Sequence, residues 1–411
     1  MIFMDIVVIS SGTELLKGSA VNTNAAYLGR KLLEKGLVVS RNLTVGDDVK
    51  ELYAALGIAL ETADTIIISG GLGPTRDDLT LDAVTRFFAL ELKPVPELEE
   101  KVTQYWLRRH TGHVPKPVMR QAYCPVGGSW FDNPNGSASG IAFETEFDKK
   151  LRRIYLLPGP PREFEPMVDD HLLPALCAAL PEEFTAGFLA AGEGEFQISQ
   201  KLEELFNGQN IRLAYCASAE GTRVFLTSND ETLLKNSVAA ARECIGSHAF
   251  PVGELELVPH LAAVLEKKNF QLVTAESCTG GGIGAVLTDF AGISSVFKGG
   301  AIVYSNELKR SMLGVSGKSL EEHGAVSEEV AFEMALGACN NLEADCAVAV
   351  TGIAGPGGGT PEKPVGTVWI AARTPDKSAV REFHFYGNRR TIRERTRANA
   401  LLMLLELLEE R

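Results

Sequence analysis

Short, continuous apolar runs at Asp5 to Ser10, Leu37 to Val45 and Thr65 to Ser69 predict buried strands in the first part of the chain. Between them the period changes. Asn22 to Lys35 carries Ala26, Leu28, Leu32 and Leu33 at helical spacing, and Val49 to Ala63 and Leu81 to Leu90 read the same way. Continuous apolar strands alternating with helices predict a parallel sheet covered on both faces, whose ligands bind beyond the carboxyl ends of the strands. Leu151 to Leu157 predicts a further strand, and Glu163 to Leu180 a closing helix interrupted near Pro166 and Pro174.

A smaller α/β unit follows, with helix Ile198 to Phe206, hairpin Ile211 to Ala217 and Thr222 to Ser228, and helix Glu231 to Ile245. It is short for an independent core and needs a neighbour to pack on. From about Glu254 the alternation resumes. Helix Leu257 to Lys268, strand Phe270 to Thr274, strand Gly300 to Tyr304, helix Ser327 to Asn341 and strand Cys346 to Val350 come in order. Strands Thr367 to Ala372 and Val380 to Tyr386 then lead into a leucine-rich helix. The fold class is therefore α/β: one domain over 1–175, a second over 254–411, and a small α/β module over 176–253 joining them.

Composition agrees, since 411 residues exceed one ordinary core and 45% hydrophobic with 23% charged residues suit a globular protein. Met1 to Asp5 lacks the basic flank and apolar core of a signal peptide, and no apolar run approaches the ~20 residues of a membrane span. The seven cysteines (Cys124, Cys177, Cys216, Cys244, Cys278, Cys339 and Cys346) form no C-x-x-C pair. Reduced thiols, no structural zinc and a cytoplasmic location are expected. The net charge of −13 works against a general polyanion-binding surface but leaves room for one local anion site. Basic residues do cluster from Asn388 to Arg397; their spacing fits a solvated helix as well as a ligand site headed by Arg389.

Candidate chemistry sits at the strand ends. After Phe270 to Thr274 comes Ala275-Glu276-Ser277-Cys278-Thr279-Gly280-Gly281-Gly282. Two readings fit this turn: Ser277 as the N-cap of the next helix, or Ser277 as a nucleophile with the N–H groups of Thr279, Gly280 and Gly281 facing an oxyanion or phosphate. Serine needs a base, and Lys309 can serve if burial lowers its pKa. Tyr304 could relay a proton to a leaving group, and no histidine occupies an obvious triad position. Cys278 is the rival nucleophile. Thr351 and Gly352, at another strand end, would shape the pocket.

In the first domain Gly70-Gly71-Leu72-Gly73-Pro74-Thr75 precedes Asp77 and Asp78. Glycines admit an anion close to backbone N–H groups, and paired carboxylates beside a phosphate suit a hydrated divalent cation. A strand-exit turn with Asp78 as helix cap is the competing reading. Asp47 and the loop holding Asn135 and Gly136 also fall at strand ends, so Asp47, Asp77 and Asp78 would hold metal or activate water.

Taken together, these motifs make the chain resemble the CinA (competence/damage-inducible protein A) family over essentially its whole length. In the first domain the segments are Gly12 to Gly18, Asn22 to Ala25, Thr44 to Asp48, Gly70 to Thr80, Asn133 to Gly136 and Leu157 to Phe164. In the last they are Thr274 to Gly281, Tyr304 to Glu307, His323 to Ser327, Thr351 to Pro356 and Lys363 to Val368. The resemblance implies a molybdopterin-binding-like N-terminal domain that hydrolyses the pyrophosphate of ADP-ribose with magnesium, manganese or cobalt, with potassium as a further candidate cation. It implies a KH-type module in the middle, where no RNA binding is expected because no G-x-x-G loop with basic flanks is visible. The last domain resembles nicotinamide-nucleotide amidases, which convert nicotinamide mononucleotide to nicotinate mononucleotide and ammonia without a cofactor. A homodimer follows by family analogy. Alternatives are an N-terminal domain that only binds a nucleotide or pterin for regulation, or a scaffold in DNA uptake or repair. Asn388 departs from the Asp of a Gly-Asp-Arg segment, and Ser137 and Ser139 stand where Thr and Pro are usual.

Overall fold

The computed structural model describes residues 5–178, 183–192, 194–219, 221–246, 249–251 and 257–409. Met1 to Met4, Leu180 at the expected end of the closing helix, and the expected boundary at 253/254 lie outside these residues. The chain forms two compact units, Met1–Thr185 with Thr227–Glu231, and Ala186–Leu226 with Thr232–Arg411.

In the first unit β-branched residues build the central strands β1 (Ile6–Ser11), β2 (Val39–Val45) and β3 (Thr65–Ser69). Short strands β4 (Leu92–Pro94) and β5 (Tyr123–Pro125) pair with each other, and β6 (Ser129–Phe131), β7 (Gly140–Phe147) and β8 (Lys150–Leu157) complete the set. The main sheet has six strands in the order β2-β1-β3-β8-β7-β6. Its first four are parallel; β7 runs antiparallel to β8 and to β6, so the sheet is mixed rather than wholly parallel. Alternation places Val7, Ile9, Ile66 and Ile68 in one core and Ile6, Val8 and Ile67 in the other, so both faces are covered.

The closing helix does not break at its prolines. Pro161–Met167, a π-turn at Val168–Leu172 and Leu173–Ala178 run on continuously. The widened turn lies just before Pro174 and accommodates its ring. Pro166 frees the carbonyl of Arg162, which accepts a hydrogen bond from Asn135 Nδ2 at 2.9 Å instead.

A four-stranded sheet, most of whose residues belong to the second unit, has the order β10-β11-β9-β12, with β9 Phe184–Ala191, β10 Arg212–Ala217, β11 Gly221–Ser228 and β12 Ala249–Pro251. A five-stranded sheet follows, β13 (Leu272–Glu276), β14 (Phe297–Ile302), β15 (Cys346–Gly352), β16 (Thr367–Arg373) and β17 (Ser378–His384), in the order β14-β13-β15-β16-β17. Strand β13 runs parallel to β14 on one side and β15 on the other, so the order reverses at its carboxyl end. Such a switch point leaves a crevice for a ligand. Helices Leu257–Lys268 and Arg389–Glu409 cover one face and Glu328–Asn341 the other. Among the described residues no helix is long and apolar enough to cross a membrane.

Candidate active sites

All five residues of β13 are buried, and the chain leaves it through Ser277, whose N–H donates to the Val350 carbonyl at 3.1 Å. The Ser277 carbonyl accepts from Gly280 N–H at 3.1 Å, closing a tight turn. Gly280 and Gly281 have φ of +57° and +89°, left-handed values that disfavour side chains. The helix start lies further on than the sequence suggests. Gly281, not Ser277, is the N-cap of helix Gly282–Thr288. The N–H groups of Ile283 and Gly284 are taken up by the Glu276 carboxylate at 2.9 Å each, so they are not open to an anion. The N–H groups of Thr279 and Gly281, in the turn itself, have no protein acceptor among the described residues.

Because the helix starts only at Gly282, Ser277 has no capping duty, and its Oγ meets Lys309 instead. Lys309 lies on helix Asn306–Leu313, which Ser305 caps through Leu308 N–H. Only 1% exposed, it donates from Nζ to Ser277 Oγ at 3.0 Å and to the Val303 carbonyl at 2.9 Å. Burial pushes the Lys309 pKa below its ordinary value, with the neighbouring Cys278 opposing. The Cys278 thiol is buried too, and burial drives it up to about 12. A thiol held protonated is a poor nucleophile, which removes the rival to Ser277.

Tyr304 is 61% exposed and does not bond to this pair. Its hydroxyl accepts from Arg389 Nη2 at 3.2 Å, while Arg389 Nη1 donates to the Gly355 carbonyl at 2.7 Å. The sequence singled out Arg389 but not the two arginines one and two turns along. Arg393 Nη2 donates to the Thr279 carbonyl at 2.6 Å, and the stem of Arg397 packs over Gly282. Among the described residues the buried Nε groups of Arg393 and Arg397 find no acceptor. Their spacing of four was a legible signal of one helix face. Thr351, buried at the end of β15, donates to the Ala325 carbonyl at 2.6 Å, and Lys363 Nζ donates to His323 and Val326 carbonyls at 2.7 Å each. Thr351 thus anchors the loop beside Gly352.

In the first unit the carboxyl ends of β1, β3 and β8 meet at a cavity of about 600 Å³. Gly70, Gly71 and Gly73 line it with Asp47, Asp77 and Asp78. Gly70 has φ of +103°, and a side chain there would strike the Ser11 carbonyl. Asp78 is not a helix cap: its Oδ2 accepts from Thr75 N–H at 2.8 Å and Thr75 Oγ1 at 2.5 Å, holding the loop closed. Hydrogen bonding from Thr75 and its own backbone lowers the Asp77 pKa. Asp47 Oδ2 accepts from Thr13 N–H at 2.9 Å. Thr75, Asn135 and Gly136, also expected at the site, do not line the cavity. Asn24 and Glu163 line the cavity and were missed. Asn24 Nδ2 bridges Ser69 Oγ (2.9 Å) and the Gly159 carbonyl (2.7 Å), and Glu163 accepts from Asn133 Nδ2 at 2.8 Å. Both lie in segments whose role emerges only when distant strand ends meet.

Known proteins match both halves. Residues 7–178 match the family described as a probable molybdopterin binding domain, and residues 255–408 the CinA C-terminal domain. A putative competence-damage inducible protein of Caldicellulosiruptor bescii is 39% identical over 97% of this chain and 97% of its own length. The chain belongs to the CinA family. A second such relative, from Alkaliphilus metalliredigens, is 38% identical over 96% of this chain and 97% of its own. Among solved structures, the competence/damage inducible protein CihA of Agrobacterium tumefaciens is 44% identical, covering 37% of this chain and 93% of that one, with a TM-score of 0.36.

For a metal in the N-terminal half of this CinA chain, the donor set decides the fit. Among the described residues no three His, Cys, Asp or Glu side chains gather as a metal cage. Asp77 and Asp78 line one cavity, a donor pair that fits a small divalent cation of the kind that binds through one or two carboxylates and keeps its waters.

Proposed function

We propose that the C-terminal domain hydrolyses the carboxamide of nicotinamide mononucleotide. The observation that carries this reading is the buried Lys309–Ser277 contact at 3.0 Å. Neutral Lys309 takes the Ser277 proton as Oγ bonds to the carboxamide carbon, and the oxyanion forms against the N–H groups of Thr279 and Gly281. Collapse breaks the C–N bond. Lys309 returns the proton to the leaving nitrogen and ammonia departs; Tyr304, bonded to Arg389 and not to the Ser277–Lys309 pair, would assist the leaving group only from the substrate side. Water then cleaves the Ser277 ester by the same base, releasing nicotinate mononucleotide. Arg389, Arg393 and Arg397 supply the positive face that a nucleotide phosphate needs, and Gly280, Thr351 and Gly352 shape the pocket. No cofactor is required. The test is ammonia release from nicotinamide mononucleotide. Ser277→Ala should lower kcat by at least about 10³-fold; ammonia release surviving that change sinks the serine mechanism.

For the N-terminal domain we propose hydrolysis of the ADP-ribose pyrophosphate. The strand-end cavity and its carboxylate wall support this reading. Asp77 and Asp78 would hold a divalent cation that neutralises phosphate charge, with the Gly70 to Gly73 backbone close to the phosphates. The two substrates belong to pyridine-nucleotide turnover, and the protein would work in the cytoplasm as a homodimer.

A further inference from the structure

Glu276 ends β13 one residue before Ser277 and is only 1% exposed. A carboxylate so deeply buried ordinarily faces a cation. Here its hydrogen-bond partners among the described residues are two backbone N–H groups, those of Ile283 and Gly284, one on each oxygen at 2.9 Å. A helix leaves these early N–H groups without internal partners, and the residue just before the helix usually supplies the cap. That residue is Gly281, which has no side chain to offer and sits at φ +89°. The cap therefore comes from the far side of the turn. The bonds from Glu276 to Ile283 and Gly284 close the segment Ser277 to Gly282 into a ring, with Ser277 N–H pinned to Val350 and Ser277 carbonyl bonded to Gly280.

We propose that Glu276 is the positioning residue of the nucleophile turn: by accepting both N–H groups it fixes Ser277 Oγ against Lys309 and leaves the Thr279 and Gly281 N–H groups for the oxyanion. This inference rests on the amide-hydrolase reading of Ser277. Glu276 touches no reacting atom in this account; it acts through the turn. A glutamine cannot replace it, because its NH₂ would face one of the two donors and the turn would open. An aspartate keeps both oxygens but withdraws them by one methylene.

The experiment uses the full chain. Ammonia release from nicotinamide mononucleotide is measured for wild type and Glu276→Gln. Calorimetric titration of nicotinamide mononucleotide into Ser277→Ala, and into Ser277→Ala with Glu276→Gln, counts competent sites without turnover. Amide exchange over 279–284 reads the clamp directly. A displacement near 1 Å costs about 10²-fold. The expected result is kcat per competent site lowered about 30- to 100-fold, Kd within about threefold, an unchanged number of sites, and faster exchange at Ile283 and Gly284. A kcat per site within about twofold of wild type, or a loss matched by missing sites, overturns the proposal. If wild type releases no ammonia, the amidase reading falls, and the exchange arm still judges the clamp: protection unchanged in Glu276→Gln overturns it. Should Glu276→Gln not fold, Glu276→Asp carries the same expectations.

Discussion

Lys309 places an amine where water barely reaches, 3.0 Å from Ser277 Oγ, and is useful as a base only in its neutral form. Burial lowers its pKa in the folded protein, so the neutral fraction grows as pH rises through a value below the ~10.4 of a free lysine. Ammonia release should rise with pH along that ionisation. A flat profile across it would remove Lys309 from the base role. The same shift has a stability consequence. The unfolded chain binds the proton more tightly, so this group's contribution to stability is present above the unfolded value and is lost as pH falls through the folded one. Lys309→Met keeps an apolar stem and removes the amine. It should abolish turnover, by about 10³-fold or more, while raising the melting temperature at neutral pH by about 2–4 °C, the equivalent of about 1 kcal/mol. Thermal unfolding read beside activity separates the two effects. The pairing of Ser277 with Lys309 was legible in the chain as two residues at strand ends of one domain, whereas the burial that raises the Cys278 thiol emerges only from packing. Arg393 and Arg397 were legible only as one helix face; that this face meets the turn is set by packing of the leucine-rich helix.

At the scale of elements, the turn between β13 and helix Gly282–Thr288 depends on two adjacent left-handed glycines with different surroundings. A Cβ at Gly281 would lie 2.9 Å from Ile302 Cδ1, whereas at Gly280 the nearest atom is Arg393 Nη2 at 3.8 Å. Both alanine variants carry the left-handed penalty of about 1–2 kcal/mol. Gly281→Ala must also displace Ile302, so it should lose more activity than Gly280→Ala at similar loss of melting temperature. Equal activity in the two variants would show that the turn tolerates movement at its helix end. Strongly periodic elements were legible to the residue, Thr65–Ser69, Glu231–Ile245 and Leu257–Lys268 among them. Strand β9 was not, since Phe184–Ala191 mixes glycine and alanine with few β-branched residues and borrows its order from pairing with β12. The continuous helix through Pro166 and Pro174 was also hidden. Its rescue comes from a π-turn and from Asn135, a residue of another loop.

Over the whole molecule, one pattern recurs: each half sets a polar site at the carboxyl ends of parallel strands, one around Ser277 and one around Gly70 to Asp78. The chemistry differs because the donors differ. The C-terminal site sets a buried lysine against Ser277 beside three arginines, and the amide hydrolysis proposed for it calls for no divalent cation. The N-terminal site offers carboxylates and glycine backbone, which suit a cation shared with a pyrophosphate. Asp77 is the more informative position, because Asp78 accepts both the N–H and the hydroxyl of Thr75 and its loss loosens the loop further. Asp77→Ala should therefore lower AMP release from ADP-ribose by at least about 10²-fold, with ammonia release from nicotinamide mononucleotide within about twofold of wild type. Removing divalent metal with a chelator should reproduce that split in the wild-type protein, and restoring it should return AMP release alone. Ser277→Ala should give the mirror image. A chelator that stops both reactions, or an Asp77→Ala variant that lowers both together, would mean that the two sites do not run on separate chemistry, and the assignment of one donor set to each reaction would fail.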